Sequence, residues 1–153
     1  MPYDLERFVD AQKGVYEHAL AEIRAGAKRS HWMWFIFPQL EGLGFSPTSR
    51  KYAIHDPEEA RAYLAHPVLG PRLTECVEAT LALPGNSAAT VFGSPDDWKL
   101  RSSATLFALV SPPRSVFHRL LDKYFAGRQD PKTLQLLGLS SESSRPAPPT
   151  PRK

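Results

Sequence analysis

Two stretches of the chain carry residue types that can do chemistry. One is Ser94-Pro95-Asp96-Asp97-Trp98-Lys99-Leu100-Arg101-Ser102-Ser103. On a helix, residues three and four apart share a face, so Lys99, Ser102 and Ser103 fall together. A lysine with two hydroxyls can bind a phosphate or a sugar. Asp96 or Asp97 can serve beside them as a general base, which makes Asp97 and Lys99 the catalytic candidates. The other stretch is His31-Trp32-Met33-Trp34-Phe35-Ile36-Phe37-Pro38-Gln39. Trp32 and Trp34 can form an aromatic wall for a flat ring, with His31, Gln39, Arg50 and Tyr52 supplying polar contacts, the mixture that lines small-molecule pockets. Each stretch also has a plainer reading. Two tryptophans around a methionine make an apolar core plug. Ser94, Pro95 and the two acids make a helix start, with a cap, a first-turn proline and charges that complement the dipole.

The elements that must position these residues are short helices. Asp4 is placed to cap a helix whose apolar residues Leu5, Phe8, Val9, Val15, Tyr16, Ala19, Leu20 and Ile23 recur at helical spacing, with Gly26 as its stop. The run from Trp32 to Phe37 is too short to tell a helical turn from a strand. Ser46-Pro47, Asp56-Pro57, Ser94-Pro95 and Asp130-Pro131 each read as an N-cap followed by proline at the first helical position. His66-Pro67 restarts another helix, whose face is marked by Leu69, Leu73, Cys76, Val77, Thr80 and Leu81. Pro112-Pro113 breaks the chain before a further helix that Gly127 stops. No alternating strand pattern of useful length occurs, and there is no internal repeat. The pattern predicts an all-α fold, an irregular single-domain bundle of short helices over residues 1–139. The segment 140–153, SSESSRPAPPTPRK, is rich in Pro and Ser and is expected to form a disordered C-terminal tail.

Composition excludes several function classes. With 153 residues, one domain with a single core is expected. The net charge of +3 comes without a dense Lys/Arg stripe, so nucleic acid is not the expected partner. The single cysteine, Cys76, rules out an internal disulfide framework and falls on an apolar helical stripe, where a thiol acts as a small hydrophobe. The five histidines lack the spacing that puts two ligands on one helical face, so no metal site is expected. No Gly-rich phosphate loop and no Gly-x-Ser-x-Gly elbow is present, and no cofactor is implied. With no run of about 18 apolar residues and no secretory leader pattern, the expected location is the cytoplasm, away from membranes.

The strings HWMWFIFPQLEGLGFSPTSRKYAI, EEARAYLAHPVLGPRL and VFGSPDDWKLRSSATLF, in that order, resemble the bacterial proteins grouped as domain of unknown function 1810. The likeness runs from about Leu5 to Leu137; Ala104 departs from it, standing where that family usually has methionine. The resemblance implies a mainly helical fold and no established activity. The label "calpastatin", often attached to such proteins, fits poorly, because calpastatin's inhibitory segments are extended and disordered when free. The order of aromatic stretch, Tyr-containing helix and late Asp-Asp-Trp element also resembles domains proposed to process NAD-derived ADP-ribose, without transferring any catalytic residue.

Two functional expectations follow. As a small-molecule protein, binding or hydrolysing a nucleotide or an ADP-ribose-like compound, the chain would gather Trp32, Trp34, Tyr52, Asp97 and Lys99 around one pocket, with His31, Gln39 and Ser102 near it. As a non-enzymatic protein-interaction domain it would instead expose an apolar patch and lack a deep polar pocket.

Overall fold

The computed structural model describes residues 4–139; the tail expected over 140–153 lies outside them. Ten short helices build the fold, with no strand among the described residues. They are α1 (Glu6–Gln12), α2 (Tyr16–Arg24), α3 (Met33–Ile36), α4 (Pro47–Lys51), α5 (Pro57–Ala65), α6 (Leu69–Leu81), α7 (Ala88–Phe92), α8 (Asp96–Leu109), α9 (Val116–Phe125) and α10 (Pro131–Leu136). An isolated parallel bridge pairs Leu40 with Ile54. The all-α expectation holds.

Local sequence sets most helix starts. Ser46, Asp56 and Asp130 each accept a bond from the backbone N–H three residues on, with proline opening the helix. That bond satisfies one of the four orphan donors of a helix N-terminus. His66 supplies the same function through Nδ1, which accepts from Val68 N and Leu69 N at 3.1 and 3.3 Å, so α6 begins two residues beyond Pro67.

Two expected caps do not form. Ser94 does not cap α8; Pro95 occupies that position with no side-chain bond. Asp4 does not cap α1, whose preceding residue is Leu5. The first helix is also two helices rather than one. Gly14 adopts φ +71°, a left-handed conformation open to glycine at little steric expense, and the chain turns there. The turn lets Gln12, at the end of α1, send its amide inward to Phe35 O at 2.8 Å.

Helix α8 is the axis of the molecule. From Ser102 to Ala108 every residue is buried, and α5, α7, α9 and α10 pack around it. Two of the hydroxyl residues in this run bond the carbonyl four residues back, Ser102 to Trp98 O at 3.1 Å and Thr105 to Arg101 O at 2.8 Å. Around this axis runs an aromatic chain, Phe8–Tyr63–Phe107–Phe117, with centroids 5.1 to 5.5 Å apart. A second aromatic set, Trp32, Phe37 and Phe92, packs at 5.9 to 6.4 Å. Cys76 is fully buried, and burial pushes its thiol up to about 12, so it stays protonated.

Candidate functional site

The tryptophan-rich stretch and the start of α8 do meet, through charges lying on rings. Lys99 Nζ sits 4.7 Å from the Trp34 ring centroid and 3.4 Å from Asp96 Oδ1. Lys28, with its side chain 8% exposed, bonds Asp96 Oδ2 at 2.8 Å, donates to Ser30 O at 2.6 Å and lies 5.0 Å from the Trp32 ring. Asp96 thus sits between two lysines, each resting on an indole face. The meeting is a packed contact rather than an open cavity. Trp32 is completely buried and donates through Nε1 to Glu22 Oε1 at 2.8 Å. Trp34, Gln39 and Tyr52 line one hollow, but its volume is about 10 Å³, room for a single water.

Glu22 ties this junction together. Burial opposes its ionisation, but donors from Ser30 Oγ, Arg29 N, Trp32 Nε1 and Ser30 N outweigh that and hold the carboxyl at about 2, against its ordinary 4.5. A carboxyl depressed in the fold contributes stability above its unfolded value and loses it as the pH falls through the folded one. Urea denaturation of the wild type should therefore show stability falling between pH 4.5 and about 2. Glu22→Gln should flatten that fall. Parallel curves for the two proteins would show that Glu22 does not carry it.

The remaining expected site residues are dispersed. Ser102 and Ser103 are buried, and Ser102 Oγ is bonded to Asp130 Oδ2 at 3.0 Å as well as to Trp98 O. His31 and Arg50 are exposed and line none of the cavities described. Asp97 points away from Lys99, because residues two apart on a helix are about 200° apart around its axis. The pocket expected to join Trp32, Trp34, Tyr52, Asp97 and Lys99 is therefore not formed. The cause is tertiary: the core takes the large indole and the inner hydroxyls, while α8 carries the two aspartates to different sides.

Asp97 opens instead into a groove of about 380 Å³, lined among others by Asn86, Trp98, Arg101, Tyr124 and Phe125. Its walls are the turn before α7, the first turns of α8 and the end of α9. Trp98 is 55% exposed there. The Arg101 guanidinium lies 5.3 Å from the Trp98 ring and is fixed by Nε to Arg128 O at 3.0 Å and Nη2 to Gln129 O at 2.8 Å. Asp97 Oδ1 accepts from Trp98 N at 2.9 Å, which orients the carboxylate. The sequence signal for this set was available: residues 97, 98 and 101 are spaced by one, three and four, so they share a face of α8 opposite the one formed by 99, 102 and 103. Among the described residues, no group of three or more His, Cys, Asp or Glu side chains could hold a metal ion. No helix among them is long and apolar enough to cross a membrane.

The family model described as "Protein of unknown function (DUF1810)" matches residues 2–137. The crystal structure of the conserved hypothetical protein Rv1873 from Mycobacterium tuberculosis is similar at 51% identity, with a TM-score of 0.88, covering 92% of this chain and 100% of that one. No curated protein matches the chain.

Proposed function

The chain belongs to the DUF1810 family, and from that premise we propose that it is a small-molecule-binding protein whose ligand stacks a flat ring on Trp98. The observation that carries this reading is the half-exposed indole beside a 380 Å³ groove, with a guanidinium anchored behind it. A tryptophan that large is normally packed, and leaving it at a concave surface keeps a face free for a partner. The volume lies within the range of small-molecule pockets. Asn86 and Asp97 add polar groups that can read the edge of a ring, as expected for a nucleotide or ADP-ribose-like compound. If the protein is hydrolytic, Asp97 is the base this groove supplies, and Lys99, held on Trp34, takes no part.

Thermal-shift and calorimetric titrations with nucleotides, NAD, ADP-ribose and sugars test the reading. Trp98→Ala should cost about 1–3 kcal/mol of binding, and Trp98→Phe should retain most of it. The reading fails if no ring compound stabilises the protein at high excess over any plausible dissociation constant, where roughly 2.7 kcal/mol is expected at a hundredfold excess.

A second reading, a protein-interaction domain, draws on another observation. Phe45 is 70% exposed and Leu136 and Leu139 are 43% and 44% exposed, and the loop carrying Phe45 touches α10 where Gly42 lies against Leu136. It gains weight if no ligand binds and Phe45→Ser abolishes a concentration-dependent association seen by sedimentation.

A further inference from the structure

Beside the Trp98 groove lies a second cavity of about 480 Å³. The two share Asn86, Arg101, Tyr124 and Phe125, so they are lobes of one depression with Arg101 at their common wall. The second lobe differs in charge. Arg101, Lys123 and Arg128 line it against one carboxylate, Asp122.

Among the described residues, none of these three cations forms an ion pair. Lys123 Nζ spends its bonds on carbonyls at the end of α6, Leu81 O at 2.8 Å and Leu83 O. Arg101 likewise gives Nε and Nη2 to carbonyls, so its head is immobilised while Nη1 has no protein acceptor among the described residues. A guanidinium fixed this way has already lost its side-chain freedom. It presents its remaining donors at no further entropic loss, which is the arrangement that favours a phosphate.

We infer that the second lobe is an anion subsite for the phosphate of the same ligand, so that the bound class is a nucleoside 5′-phosphate rather than a free nucleoside or base. The ring lies on Trp98, and the phosphate crosses the Arg101 wall and meets Arg101 and Arg128. This inference rests on the groove reading above. A lone phosphate does not use the stacking lobe. A single-stranded nucleic acid would want a succession of stacking faces, and among the described residues Trp98 is the only aromatic of the large hydrophobic side chains left exposed at this end of α8.

The test is calorimetric titration of the full chain at low salt with the four nucleosides, their 5′-monophosphates, inorganic phosphate and a short single-stranded oligonucleotide. At least one monophosphate should bind about tenfold more tightly than its nucleoside. Arg128→Gln, at an exposed side chain, should collapse that ratio toward one; Arg101→Gln should do so as well, with circular dichroism checking that it folds. Equal affinity for nucleoside and monophosphate would overturn the anion subsite and leave the stacking groove standing. No binding of any nucleoside or monophosphate would overturn the anion subsite, and the stacking groove falls with it if NAD and ADP-ribose also fail to bind. An oligonucleotide binding more than tenfold tighter than every monophosphate would replace the inference with nucleic-acid recognition.

Discussion

Glu59→Ala is expected to lower folding stability by about 3–5 kcal/mol, a large share of the roughly 5–15 kcal/mol that holds a domain together. Glu59 lies on α5 with no exposed surface, and its Oε2 is 3.0 Å from Arg7 Nη2 on α1. Its other oxygen accepts from His55 N at 2.8 Å and contacts His55 Nδ1 at 2.7 Å. Oε2 receives no well-directed hydrogen bond, so its partner is the Arg7 charge itself. Arg7, 10% exposed at its side chain, also donates to Asp4 O, to Lys51 O at 2.7 Å and to Ala53 O at 2.6 Å, and its guanidinium lies 4.3 Å from the Phe8 ring. Alanine at position 59 would leave this guanidinium buried and uncompensated. The double variant Arg7→Met, Glu59→Leu removes both charges together and should lose less than the sum of its singles, because a buried pair exchanged for apolar residues is often nearly neutral. Urea denaturation of the four proteins measures the cycle. A loss below about 1 kcal/mol for Glu59→Ala, or strictly additive singles, would show that the pair does not lock α1 to α5.

The same ion pair marks a limit of reading the sequence. Arg7 and Glu59 stand 52 positions apart, and Lys28 and Asp96 stand 68 apart; no periodicity connects either pair. What was legible was local: the Ser/Asp-Pro starts at 46, 56 and 130, and the apolar stripes of α2, α6 and α9. Within α8 the geometry was legible and the environment was not. Lys99, Ser102 and Ser103 do fall on neighbouring turns, but two of them face the core, with Ser102 bonded to the carbonyl four residues back and to Asp130. A serine spacing does not distinguish an inward face from a ligand-binding one when the helix itself can accept its hydroxyl. Trp98 fails in the opposite direction. Tryptophan usually packs, and only the separate placement of α7 and α9 reveals that this one stands at the rim of a groove.

Backbone proximity produces the second large effect. Gly70→Ala should destabilise the fold by about 3 kcal/mol or more, although the same exchange in an ordinary helix interior gains roughly 0.5–1 kcal/mol. The sign reverses because of what lies opposite. A Cβ built on Gly70, in the first turn of α6, falls 2.1 Å from Leu64 O and 2.9 Å from Leu64 C, near the end of α5. Those are backbone atoms, so no rotamer change relieves the clash, and α5 and α6 must part. They hold Tyr63, Leu69 and Leu73, all buried in the core cluster, with Tyr63 against Phe107 of α8, so the separation would reach the core. Gly14→Ala supplies the control: nothing lies within 4 Å of its built Cβ, but its φ of +71° leaves a local strain of about 1–2 kcal/mol. Thermal and urea melts should therefore rank Gly70→Ala well below Gly14→Ala. Equal losses would mean that α5 and α6 do not meet at the spacing described, and that the approach of Leu64 to residue 70 is softer than its 2.1 Å implies.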